Sequence, residues 1–145
     1  GRSNKGWELA VTEVDLTDKG KEIFGLDKMV SSVEVAPLLC YGFTDVVTQR
    51  IHQMHRDIID EFPKDSIPLG SNKICEVQAF YTPGRYITVQ GHPEFTEEIM
   101  SEVLFNRHTV GIFTDEQYND AIKRAPVPHD GVAIAKAFLK FWREG

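Results

Sequence analysis

Imidazole moves protons near neutral pH, and it does so best when a carboxylate holds one of its ring nitrogens. Gln90-Gly91-His92-Pro93-Glu94-Phe95 offers such a pair, directly after the apolar run Tyr86-Ile87-Thr88-Val89. The run reads as a buried strand. Residues i and i+2 of an extended segment point to one side. Pro93 fixes its own φ and biases His92 toward the β region. His92 and Glu94 are therefore expected to project together, with the carboxylate on one ring nitrogen and the other left for chemistry. That is the base and orienting acid of a nucleophilic triad. Standing alone, H-P-E has a plainer reading: a strand-end histidine beside an acid that leads a helix.

Other polar groups carry weaker signals. His52-x-x-His55-x-Asp57 holds residue types that bind zinc, but on a strand positions 52 and 55 face opposite sides and no further ligand cluster is near, so no metal is expected. Cys40, in Leu39-Cys40-Tyr41-Gly42, superficially echoes the turn that presents a nucleophile, without its preceding glycine. Cys75 opens an apolar stretch and reads as a small core residue at the start of a strand. His108 and His129 lie in polar surroundings and are expected to be solvated.

The elements that must position these groups follow from periodicity. Apolar residues at 7, 9 and 11 and then at 14 and 16 predict a strand with one phase slip, hence a bulge or bend. Thr17-Asp18 caps a short helix through Phe24, which Gly25 stops. Residues 67–72, 75–81 and 86–90 read as three short strands, the last two joined by the turn Thr82-Pro83-Gly84-Arg85. Thr96 caps a helix with Ile99/Val103 and Met100/Leu104 as i,i+4 pairs. Thr114-Asp115-Glu116-Gln117 is a capping box for a second helix through Arg124. Asp130 caps a third over 132–142, with apolar residues at 135, 138, 139 and 142. Strands followed by helices suit part of an α/β domain.

Composition narrows the function classes. The 145 residues are 26% charged and 41% apolar, as in a globular chain holding one domain. A net charge of −6 without a basic stripe argues against nucleic acid as a partner. No apolar run reaches the roughly 18 residues that a membrane span needs. Two cysteines make no disulfide framework, so a cytoplasmic location is expected.

Three ordered stretches carry a resemblance. Val89-Gln90-Gly91-His92-Pro93-Glu94-Phe95 is similar to the third catalytic block of the class I (triad-type) glutamine amidotransferases. Gly6-Trp7-Glu8 looks like the G-W-E strand start of stand-alone members, and His52-Gln53-Met54-His55-Arg56-Asp57 resembles their variant of the S-H-G-D block. The resemblance covers nearly the whole chain and implies the C-terminal portion of a flavodoxin-like α/β domain spanning 1–145. It implies thiol chemistry on a γ-glutamyl amide, with His92 and Glu94 serving a cysteine from a G-x-C-x-G elbow that belongs upstream of residue 1. Met54 and His55 would lie against the small-molecule substrate, largely through backbone groups, Met54 replacing the family's serine. No cofactor is implied. An ammonia-accepting protein, where one exists, would be a separate chain. The same features resemble γ-glutamyl peptidases acting on glutathione-like substrates, and a non-catalytic remnant or binding module is the reading of a different class.

Residues 30–49 break this pattern. They are apolar without a clean period and separate stretches that the family keeps close. Removing them joins Met29 to Arg50 and restores an uninterrupted family-like sequence. The block is 20 residues long, starts with valine (codons GT-) and ends with glutamine (one codon ends AG). It is expected to be a short intron read through in frame, with a genuine surface insertion as the alternative.

Overall fold

The computed structural model describes residues 1–26 and 47–144. Five strands form one antiparallel sheet: β1 (Glu8–Leu16), β2 (Thr48–His55), β3 (Ile67–Ser71), β4 (Ala79–Thr82) and β5 (Tyr86–Val89), in the order β2-β1-β3-β4-β5. Among the described residues four helices accompany them: α1 (Asp18–Phe24), α2 (Glu97–Thr109), α3 (Asp115–Arg124) and α4 (Gly131–Glu144).

β1 and β2 pair over their whole length, from Glu8↔His55 to Asp15↔Thr48. The expected phase slip leaves no extra residue in this ladder. It appears instead as a bend at Ala10, a buried non-glycine residue at φ 56, a sparsely populated region that costs on the order of 1–3 kcal/mol. The Leu9 and Val11 carbonyls flanking the bend accept from one Nη1 of Arg124, at 2.7 and 2.8 Å. On its second edge β1 meets β3 only at Asp15 and Leu16.

Side-chain chemistry sets the helix ends. Thr17, Thr96 and Thr114 each accept the backbone N–H of the third residue of the following helix, and Thr114 with Gln117 completes the expected capping box. Gly25 takes the left-handed conformation (φ 70) that ends α1. The Asp130 carboxylate is used differently from expectation. It accepts from the Arg50 amide at 2.7 Å and so ties the start of α4 to β2.

Two apolar clusters hold the layers together. Val14, Leu16, Phe24, Ile51, Leu69, Ala79, Ile134 and Ala137 join the sheet to α1 and α4. Leu9, Ala10, Met54, Met100, Leu104, Phe113 and Ala121 join it to α2 and α3. In α2 the Met100/Leu104 pair is buried while Ile99 faces out. The inner face of α4 is Ile134 and Ala137, not the expected 135, 139 and 142; Leu139 and Trp142 stand 60% and 84% exposed. Apolar spacing alone did not say which of two stripes faces inward.

Cys75 is buried but precedes β4 rather than opening it. Asn72 Oδ1 accepts from the Ile74 and Cys75 amides, a side-chain turn that diverts the backbone before pairing resumes at Ala79. Of the expected insertion, residues 30–46, with Cys40, lie outside the described residues. Thr48 and Gln49 open β2 opposite Asp15 and Val14.

Candidate functional site

The site lies where the chain leaves β5 and touches β2. The His92 amide donates to the His52 carbonyl at 2.7 Å, an antiparallel bridge that fixes the site histidine to the neighbouring strand. Gly91 makes this approach possible. A Cβ there would fall 2.7 Å from the His52 carbonyl and 2.8 Å from Gln53 Oε1. Behind it, α4 begins against the same segment, since a Cβ on Gly131 would meet the Pro93 carbonyl.

His92 Nδ1 and Glu94 Oε1 are 2.9 Å apart, as the sequence led one to expect, but by another route. The segment does not stay extended. The Phe95 amide donates to the His92 carbonyl at 3.3 Å, closing a turn with Pro93 at its second position, where its fixed φ fits. The turn folds Glu94 back onto the ring. The expectation of a buried strand also needs correction: among the described residues β5 bonds only to β4, and each of its residues is half-buried. The site is correspondingly open, with the His92 and Glu94 side chains 35% and 63% exposed. Phe95 stacks on the imidazole with centroids 4.2 Å apart and fixes the plane of the ring. Nε2 has no protein partner among the described residues.

Of the two β2 residues expected against the substrate, largely through backbone groups, both side chains are engaged within the protein. The Met54 side chain is buried in the cluster with Leu9, Met100 and Leu104, so only its backbone is available on the site side. Both ring nitrogens of His55 are engaged, Nε2 with Gln53 Oε1 at 2.7 Å and Nδ1 with the Asp57 carbonyl at 3.1 Å. Among the described residues, no three His, Cys, Asp or Glu side chains converge as metal ligands, and no helix is long and apolar enough to cross a membrane.

Several features were not anticipated. His129 is not simply solvated: its ring packs against that of His52 with centroids 4.5 Å apart, and its Nδ1 accepts from the Gly131 amide. His108 belongs to α2, stacks on Tyr118 and reaches Asp115 at 2.7 Å. His52 is fully buried, and neither ring nitrogen has a partner among the described residues. Burial, then the nearby His129 and His92, pushes its pKa down to about 4, so it stands neutral behind the site. Glu8, on the face of β1 that alternation would leave solvated, is buried and accepts from Asn72 at 2.6 Å and from Gln78 at 2.8 and 3.0 Å. The G-W-E motif was the one signal in the sequence that marked Glu8 as more than a surface residue.

Sheet and helices together define a fold class. The fold is that of the glutamine amidotransferases, an α/β domain of flavodoxin-like type. A glutamine amidotransferase from Thermotoga maritima matches 99% of this chain and 54% of its own with a TM-score of 0.65, at 16% identity. Kinship rests on sequence. A glutamine amidotransferase-like protein of Schizosaccharomyces pombe is 34% identical over 140 residues, 97% of this chain and 48% of the relative. The γ-glutamyl peptidase 2 of Arabidopsis thaliana is 29% identical over 102 residues, 68% of this chain and 41% of the relative. The chain is thus a homologue of the glutamine amidotransferase-like and γ-glutamyl peptidase proteins, and spans about half the length of the relatives it matches. No protein-family model matches it.

Proposed function

We propose that this chain supplies the base and orienting acid for hydrolysis of a γ-glutamyl amide, glutamine being the simplest, by a cysteine carried on a G-x-C-x-G elbow upstream of residue 1. The observation that carries this reading is the His92–Glu94 pair, with one ring nitrogen on the carboxylate at 2.9 Å and the other without a protein partner among the described residues. In the proposed cycle His92 Nε2 takes the thiol proton as sulfur attacks the γ-carbonyl. It returns that proton to the departing amine, then activates the water that releases glutamate from the thioester. Glu94 holds the tautomer with Nε2 unprotonated and stabilises the imidazolium once it forms. The oxyanion needs backbone donors that this pair does not provide.

Kinship to γ-glutamyl peptidase 2 supports a second substrate class for the same chemistry, the γ-glutamyl bond of glutathione-like peptides. The two differ only in the leaving group, ammonia or an α-amine. Neither Cys40 nor Cys75 sits in a G-x-C-x-G sequence, so residues 1–145 alone should release no glutamate in a manner dependent on either thiol. Activity lost on Cys40→Ser would overturn the assignment of the nucleophile. The decisive experiment assays the full-length protein against glutamine and glutathione. Glutamate release from neither, by a protein shown to be folded, would leave the non-catalytic reading in place.

A further inference from the structure

We propose that Glu8 is a positioning residue that keeps His55 an imidazolium, acting through the side-chain amides of Gln78 and Gln53. Hydrogen-bond direction fixes where the protons lie. At one end stands the Asp57 carbonyl, which only accepts, so His55 Nδ1 at 3.1 Å carries a proton. At the other end Glu8, as a carboxylate, also only accepts. Asn72 donates to it at 2.6 Å, and that amide cannot turn round because its Oδ1 takes the Ile74 and Cys75 amides at 2.9 and 2.8 Å.

The relay between the ends follows. Gln78 directs Nε2 at both Glu8 oxygens, at 2.8 and 3.0 Å, so its Oε1 is left to accept from Gln53 Nε2 at 3.0 Å. Gln53 must then present Oε1 to His55 Nε2, at 2.7 Å. Both ring nitrogens of His55 thus face acceptors, and the arrangement is satisfied by a doubly protonated ring. Glu8 Oε2 lies 3.8 Å from Nε2 and supplies the counter-charge.

One other arrangement satisfies every group. In it Glu8 carries the proton and donates to Gln78 Oε1, both glutamine amides are reversed, and His55 Nε2 accepts from Gln53. The proton count is unchanged, so the two buried residues are charged together or neutral together. Burial works against both charges. It pushes the Glu8 carboxyl up, opposed by the Asn72 and Gln78 donors. It pushes the His55 imidazole down, opposed by the Asp57 carbonyl and carboxylate and reinforced by His92. A further titratable neighbour of Glu8 among the described residues is the Cys75 thiol, which burial first of all holds up and neutral.

The relay also borders the candidate site, for Gln53 Oε1 lies 2.8 Å from where a Cβ on residue 91 would be. Resting on the function proposed above, this gives the pair a task. A proton arriving on His92 repels the His55 charge, and collapse to the neutral pair relieves that repulsion without exchanging a proton with solvent. Glu8 would then act on His92 at second hand, through His55.

Nitrogen-15 NMR of the imidazoles in the full-length protein tests this without turnover, so its outcome is independent of the catalytic reading. At pH 7 both ring nitrogens of His55 should resonate as protonated. In Glu8→Gln, where the counter-charge is gone, one should shift to the unprotonated position. A wild-type His55 with one unprotonated nitrogen at pH 7 overturns the proposal, whether or not the variant folds. An unchanged spectrum in a folded Glu8→Gln protein overturns it as well.

Discussion

Excising residues 30–49 would join Met29 to Arg50 and let β2 begin at Lys28. The register then makes definite substitutions. Lys28 takes the place of Thr48 opposite Asp15, and Met29 takes the place of Gln49 opposite Val14. At present Gln49 is buried and its Nε2 has no partner among the described residues. An unpaired buried amide costs about 1–3 kcal/mol. A methionine there would bury apolar surface beside Val14, worth up to ~2 kcal/mol. The Lys28–Asp15 pair adds roughly 0.2–1 kcal/mol as a cross-strand contact of opposite charges. The connection stays feasible because Leu26 and Val47 already pack in one cluster, so Asp27 would stand near the place of Val47. Together these terms come to about 1–6 kcal/mol, lessened by the packing of Val47 that Asp27 would not replace, and Tm should rise by roughly 2–4 °C for each kcal/mol that remains. The assay is calorimetry or denaturant unfolding of the full-length protein with and without the 20 residues. A lower Tm in the shortened protein would refute the register argument, and a mature transcript that keeps the 60 nucleotides would refute the intron.

Three other outcomes are expected. In the full-length protein His92→Ala should abolish glutamate release, while Glu94→Gln should reduce it by a smaller factor. Because both side chains are substantially exposed, Tm should move by less than about 1 kcal/mol equivalent, and early melting of both with normal turnover per folded molecule would make the pair structural. Gly91→Ala should cost about 1–3 kcal/mol, since its Cβ meets backbone and Gln53 at under 3 Å; an unchanged Tm would show that β2 and the site segment separate easily. For His52 the folded pKa of about 4 lies below the unfolded 6.5. The unfolded state therefore binds the proton first, so the contribution is complete above pH 6.5 and is lost as pH falls toward 4, about 3 kcal/mol in all. His52→Phe should flatten the stability profile over that window, and a profile parallel to wild type would refute the assignment.

Local chemistry was legible where one residue type has one use. Threonine caps, the Gly25 stop and the capping box at Thr114 could each be read directly, because an unpaired helix N–H has few local partners. The His92–Glu94 pairing was legible too, though its turn was not. Proline serves an extended segment and a turn equally well, and only the Phe95 amide decides between them. Long-range polar pairing left no trace in the sequence. Glu8 and Gln78 are 70 residues apart, and nothing in either neighbourhood names the other. Likewise α4 carries two apolar stripes, and which one is buried depends on where α1 and the sheet already lie.

The bend at Ala10 has a consequence for the company this protein keeps. Along the first half of β1 the edge away from β2 carries no strand among the described residues, which makes it a template for another chain to extend the sheet. Arg124 occupies two of the carbonyls such a chain would need and is itself anchored to Asp120 at 2.6 Å. The strained backbone and the guanidinium would together hinder another chain from pairing there. Arg124→Ala would then show its effect in aggregation at high concentration rather than in the chemistry of His92.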